Sequence, residues 1–180
     1  IIDTRNDYEI AIGKFKNSIN IQTNSFRDFP NKFKNIEVNK KNKILMYCTG
    51  GIRCEKASAF LSSKGYKNVF QLKGGILNYL NFVKETGLNT MWSGECFVFD
   101  NRITINKELK KGKFTQCYGC RHPLTKRDLK LRSYRKGVCC KFCIDSKSET
   151  KINALITRQN QIERNQRKQI KDSFQKIFKV

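Results

Sequence analysis

Two groups of cysteines in this chain have the spacing and the company to do chemistry. The first centres on Cys48, in the run Tyr47-Cys48-Thr49-Gly50-Gly51-Ile52-Arg53-Cys54-Glu55-Lys56-Ala57. This cysteine ends a hydrophobic run, leads through two glycines and enters a helix-like segment. At such a place backbone N–H groups converge on one point and the positive end of a helix dipole adds to them. With a fixed cation such as Arg53 nearby, these surroundings take a thiol from about 8.5 to roughly 3.5–7.5, which makes Cys48 a candidate nucleophile. Gly50 and Gly51 allow close backbone approach. The N–H groups of Thr49, Gly50, Gly51, Ile52 and Arg53 are the expected donors to a negative sulfur. Cys54, at the start of the helix, is a candidate second thiol or a space-filling side chain.

The second group is Cys117-x-x-Cys120 and Cys140-x-x-Cys143, two short pairs with 19 residues between them. Each pair can form a knuckle whose sulfurs face one ion, and two knuckles complete the tetrahedron of a structural zinc site. Four thiolates leave no open position, so zinc here is expected to replace a core that so short a segment cannot bury. Cys139 competes for the fourth place, but only Cys140 stands three residues before Cys143. His122, the single histidine, precedes Pro123 and reads as a turn residue. Cys96 lies in an apolar alternation and reads as a small core side chain.

The elements that must position these groups are visible in the pattern. Lys43 to Tyr47 reads as a buried strand and Glu55 to Lys64 as a helix with Gly65 at its cap. Val69 to Leu72 is a further strand. Short strands alternating with helices predict an α/β fold, a parallel sheet with helices on both faces. Residues 1–86 are expected to form this unit. Residues 87–113 are expected to be a connector: Gly87 to Gly94 as an exposed link, then a hairpin of Glu95–Phe99 and Arg102–Asn106 around Asp100-Asn101. Residues 114–147 hold the four-cysteine segment, and 148–180 a basic amphipathic helix with apolar positions at Ile152, Leu155, Ile156, Ile162, Ile170, Phe174, Ile177 and Phe178. Its cations Arg158, Arg164, Arg167, Lys168, Lys171 and Lys176 suit either a solvated face or contact with nucleic-acid phosphates.

Composition sets the limits. A chain of 180 residues with 38% apolar residues and 13 phenylalanines can build one real core and a small satellite. No apolar run approaches the length of a membrane span and no signal peptide is visible. Eight cysteines grouped as two pairs and a loop fit a reducing cytoplasm better than a disulfide framework. The formal charge of +22 suggests a polyanionic partner. Part of that excess reflects a Lys-, Asn- and Ile-rich composition of the kind an A/T-rich genome encodes.

A resemblance adds to this reading. Four residues separate Cys48 from Arg53. That loop is one residue shorter than the phosphate loop of cysteine-dependent phosphatases, and it resembles the loop of rhodanese domains, which carry persulfide sulfur on the cysteine. Ile1-Ile2-Asp3-Thr4-Arg5 resembles the first rhodanese strand, and Tyr8-Glu9-Ile10 through Asn20 the turn that follows it, with Lys14 where histidine is usual. Lys73-Gly74-Gly75-Ile76 resembles the turn opening the last rhodanese helix. Asp3 and Arg5 are expected to brace the loop as scaffold residues.

Three blocks carry the resemblance further, to about residue 170. They are Cys48 to Ala57, Trp92-Ser93-Gly94-Glu95-Cys96-Phe97-Val98-Phe99-Asp100-Asn101-Arg102, and Cys117-Tyr118-Gly119-Cys120-Arg121-His122-Pro123-Leu124. Together they look like the tRNA uridine(34) hydroxylase family. The resemblance implies a cytoplasmic enzyme that converts the wobble uridine to 5-hydroxyuridine, with molecular oxygen as substrate and Cys48 passing through a persulfide. It also implies the tRNA anticodon region as partner, with neither membrane nor DNA involved and no organic cofactor. The family's N-terminal domain has no counterpart here, because Ile1 already lies inside the first rhodanese-like strand, so the chain is read as a fragment. Two other functions fit the same residues: a rhodanese-type sulfurtransferase using Cys48 and Arg53, with Cys54 resolving a persulfide, and a non-catalytic RNA-binding module.

Overall fold

A computed structural model of the chain describes residues 1–178. Side chains of Phe174 and of residues 176–178 lie outside the described set, as do residues 179–180, so nothing follows for the expected positions Phe174, Lys176, Ile177 and Phe178. The chain divides into two compact units, Ile1–Phe114 and Thr115–Val180. No helix of the described residues is long and apolar enough to cross a membrane.

The first unit is an α/β layer structure. In chain order it contains β1 (Ile2–Asp3), α1 (Asp7–Ile10), β2 (Gly13–Phe15), β3 (Ile19–Asn20), α2 (Phe29–Phe33), β4 (Ile44–Tyr47), α3 (Ile52–Ser63), β5 (Val69–Gln71) and α4 (Gly75–Thr86). Then come β6 (Trp92–Gly94), β7 (Cys96–Phe97) and β8 (Thr104–Ile105). Four of the strands form one parallel sheet in the order β3-β1-β4-β5, with Ile2 opposite Met46 and Asp3 opposite Tyr47.

Alternation along β4 sends neighbouring residues to opposite faces. Ile44 and Met46 join Ile2, Phe29, Phe33, Ala57 and Leu61 in one core; Tyr47 joins Phe15, Ile76, Leu80, Trp92 and Val98 in the other. Helix α3 buries Cys54, Ala57 and Leu61, an i, i+3, i+7 stripe. Helix α2 buries Phe29 and Phe33 one turn apart, their rings stacked at 5.7 Å. Helix α4 buries Ile76 and Leu80 on the opposite side of the sheet. Helices therefore cover both faces, as the sequence pattern predicts.

Cover on the α4 side is incomplete, and one expectation changes with it. Leu45, read as part of a fully buried strand, is half-exposed, and it pairs in register with Phe70, which is exposed.

The stretch expected to be an exposed link is instead partly built into the unit. Strand β6 pairs antiparallel with β2, setting Trp92 opposite Phe15, and Trp92 is buried. Three aromatic rings, Tyr47, Tyr79 and Trp92, meet Phe15 edge-on at 4.7–5.1 Å. This packing holds residues 92–114 within the first compact unit. The hairpin of β7 and β8 is present, with Val98 N–H donating to Ile103 O across it.

The second unit contains the two-stranded sheet of β9 (Thr115–Gln116) and β10 (Pro123–Leu124), and the long helix α5 (Glu149–Phe178). Leu155 is buried against the cysteine cluster, with Ile152 and Ile156 partly buried beside it. Further along α5, Ile162 and Ile170 are exposed. Among the described positions, the apolar stripe read from the sequence is thus docked over the helix's first turns.

Candidate active site and metal centre

Cys48 follows the last residue of β4, at the C-terminal edge of the parallel sheet, where open α/β sheets place their sites. The backbone turns back at Gly51, whose φ of +99° lies in the left-handed region that glycine takes without cost. The turn brings the Gly51 N–H to 3.1 Å from the Cys48 sulfur. From below, the first N–H groups of α4 grip the loop: Ile76 N donates to Cys48 O at 2.9 Å and Leu77 N to Thr49 O at 3.1 Å. Gly75, at φ +64°, must lack a side chain there, since a Cβ would collide with the carbonyls of Cys48 and Thr49. Gly50 has open space where a Cβ would point, so the two loop glycines have different jobs.

These contacts set the charge on sulfur. A hydrogen bond from the Cys54 thiol is the largest influence on Cys48; burial opposes it, and the N–H groups of Cys54, Arg53 and Gly51 add to it. The net result holds Cys48 at about 5, so it is a thiolate at neutral pH. Cys54 is pushed the other way, by the same hydrogen bond, by burial and by the Cys48 charge. It is fully buried in the core and contacts the Thr4 hydroxyl at 3.6 Å. Cys54 is therefore held as a protonated thiol beside the loop.

Arg53 is held by a residue that the sequence reading quoted but gave no role. The fully buried Glu9 accepts from Arg53 Nη1 at 2.6 Å and Nη2 at 2.8 Å, a bidentate pair. Asn6 N donates to Glu9 at 3.1 Å, and Thr49 Oγ1 lies 3.5 Å from it. Burial pulls the Arg53 guanidinium down, but Glu9's hydrogen bonds and charge outweigh it, and the Cys48 charge adds to them. Arg53 is fixed as a cation beside the thiolate. Glu9 lies 44 positions before Arg53 in the chain, and the pairing of β1 with β4 brings it here; the local signal is an acidic side chain next to apolar Ile10 in a short capped helix.

Asp3 and Arg5 form a second buried pair, with Arg5 Nη2 at 2.7 Å from Asp3 Oδ2 and donating to Gly13 O at 2.7 Å. The Arg5 guanidinium lies 5.0 Å from the Trp92 ring centre. This pair ties β1 to the β2 turn and does not reach the sulfur. Cys96 is fully buried and burial pushes its thiol up to about 12, so it is inert.

A pocket of ≈ 300 Å³ opens on the thiolate. Cys48, Thr49, Gly50, Arg53 and the carboxylate Asp100 form its polar part, and Ile52, Leu77, Val98 and Phe99 its apolar wall. Phe99 comes from the turn of the β7–β8 hairpin, and its ring centre lies 5.7 Å from the Arg53 guanidinium. The hairpin also anchors the loop, because Phe97 O accepts from Thr49 Oγ1 at 3.4 Å.

In the second unit Cys117, Cys120, Cys140 and Cys143 come together, all four sulfurs within 4.8 Å of one another. A tetrahedral zinc with bonds of about 2.3 Å requires sulfur–sulfur edges of about 3.8 Å. The edges here are 4.0 Å for Cys117–Cys143, 3.7 Å for Cys120–Cys140 and 3.9 Å for Cys140–Cys143. Geometry and donor set both fit a metal ion such as zinc. Cys139 turns away, its sulfur donating to Ser133 O at 3.5 Å, which settles the choice between it and Cys140 as neighbours of the cluster. His122 does more than turn the chain: Nδ1 lies 3.4 Å from the Cys120 sulfur and the ring stacks on Phe142 at 4.5 Å.

The parallel sheet, the strand–loop–helix cradle and the cysteine at its focus all lie within residues 1–81. Residues 1–81 match the family model for the rhodanese-like domain. That match supports a sulfurtransferase-like or related function and is consistent with catalytic activity.

Proposed function

We propose that this chain modifies tRNA, hydroxylating the wobble uridine 34 to 5-hydroxyuridine with Cys48 as the catalytic residue; molecular oxygen supplies the hydroxyl oxygen, and an external two-electron donor reduces the second oxygen atom to water. The observation that carries the reading is the Cys48 sulfur, cradled by the Gly51 N–H at 3.1 Å and beside the Arg53 cation, at the mouth of a small pocket with one aromatic wall. A planar uracil ring suits the face of Phe99, and Arg53 offers a cation for whatever negative charge develops on the ring or on sulfur. The three blocks resembling the tRNA uridine(34) hydroxylases, in both compact units, support this choice of substrate. Zinc on the four cysteines would fold the second unit and take no part in the chemistry.

The test is mass spectrometry of wobble nucleosides in tRNA from cells lacking the gene, complemented with wild type or with Cys48→Ser. Loss of 5-hydroxyuridine derivatives in the deletion and their return with wild type alone is the expected result. Unchanged nucleosides in the deletion refute the reading.

A sulfurtransferase is the second reading, favoured by the rhodanese-like match and by the buried thiol Cys54 beside Cys48. Cyanide-dependent thiocyanate formation from thiosulfate, lost in Cys48→Ser, supports it; absence of any sulfur transfer removes it.

A further inference from the structure

The second unit is the more densely basic part of the chain: residues 115–180 carry 17 of the 37 Lys and Arg and only 5 of the 15 Asp and Glu. Read along the sequence, its helix has cations but no ladder of aromatic rings on which bases could stack. The fold supplies one ring from elsewhere. Tyr118 sits between the first two cysteines of the cluster and is 59% exposed. It faces α5 across a recess of ≈ 460 Å³, lined by Tyr118, Lys136, Arg158, Gln159, Ile162 and Gln166. This volume lies in the range of small-ligand sites.

The recess is pre-formed. Arg158 Nη2 donates to Tyr118 O at 3.2 Å and to Gly137 O at 3.0 Å, fastening both the knuckle and the neighbouring turn to α5. Gln159 is packed so close to Gly137 that a Cβ there would collide with it. The lining holds an aromatic face, two cations, two amides and one apolar side chain, and it contains no carboxylate. An aromatic face takes a nucleobase, amides address the hydrogen-bonding edge of a base, and cations take the attached phosphate. Next to it on α5, Arg164, Arg167, Lys168 and Lys171 stand at i, i+3, i+4 and i+7, an exposed cationic stripe suited to flanking phosphates.

We propose that this recess binds one unstacked nucleotide of a single-stranded RNA segment, with the base on Tyr118 and the phosphate beside Lys136. The proposal deepens the RNA reading above and rests on it, but it concerns a site distinct from Cys48.

The test uses the full chain and a short single-stranded RNA carrying one 2-aminopurine, read by anisotropy and by quenching of the fluorescent base. Tyr118→Leu is expected to weaken binding about 5- to 100-fold and to abolish the quenching, in line with the usual loss per stacked base. Tyr118→Phe keeps the stacking face and is expected to bind like wild type. Lys136→Gln is expected to lower the salt dependence by about one ion. Metal content of each variant reports that the four-cysteine cluster is intact. Unchanged affinity and quenching in Tyr118→Leu overturn the recess while leaving RNA binding in place. Absence of binding by wild type overturns the recess together with the RNA partner. Equal affinity for uridine monophosphate alone overturns the assignment to an RNA strand.

Discussion

Replacing Glu9 by Gln keeps the size of the side chain and removes one charge from the Arg53–Glu9 pair. Glu9 is fully buried, whereas the Arg53 side chain keeps 16% of its surface. Removing one partner of a buried pair costs about 3–5 kcal/mol, because the other charge is left uncompensated. Water at the exposed edge of Arg53 relieves part of that cost, which places this site at the lower end, about 3 kcal/mol. The amide cannot escape the penalty by rotating. Arg53 Nη1 and Asn6 N donate to one Glu9 oxygen and Arg53 Nη2 to the other, so an amide NH₂ would face a donor in either orientation. Urea unfolding followed through Trp92, the only tryptophan and a buried residue of the same unit, reports the change directly. The midpoint is expected to fall with the slope unchanged. A loss below about 1 kcal/mol would place the pair among surface salt bridges and refute its role as the brace of the loop.

Two further outcomes follow from the loop and the cluster. Gly75→Ala is expected to destabilise the first unit by more than about 2 kcal/mol in the same assay, from left-handed backbone strain and the clash with the Cys48 and Thr49 carbonyls. Gly50→Ala meets nothing and is expected to leave stability unchanged. In metal analysis of the purified chain, wild type is expected to carry one equivalent of a metal ion such as zinc; Cys140→Ser is expected to lose it and to unfold the second unit by circular dichroism, while Cys139→Ser retains it.

The groups that were readable in the sequence are those made by near neighbours. Cys48, the glycines and Arg53 lie within one strand–turn–helix, and each cysteine knuckle spans four residues, so spacing alone assembles them. Helix α3 was legible because Cys54, Ala57 and Leu61 repeat with helical period. What escaped depends on chain topology. Glu9 reaches Arg53 only because β1 lies next to β4, Trp92 is buried only because β6 finds β2, and Phe99 joins the pocket only through the hairpin. Leu45 has the composition of a buried strand position, but its exposure is decided by how far α4 extends across the sheet. The ring of Tyr118 and the amides of α5 are separated by about 40 residues and share no periodic signal.

The central claim is that the loop holds Cys48 as a thiolate, and the pH dependence of its alkylation tests this most directly. Iodoacetamide labelling of the native chain, read at Cys48 by peptide mass spectrometry, is expected to reach half its plateau rate near pH 5 and to stay flat through neutrality. Removing the largest contributor in Cys54→Ala is expected to move that midpoint upward. A rate in the wild type that is negligible at pH 6 and still climbing at about pH 8.5, as for an ordinary thiol, would contradict the claim.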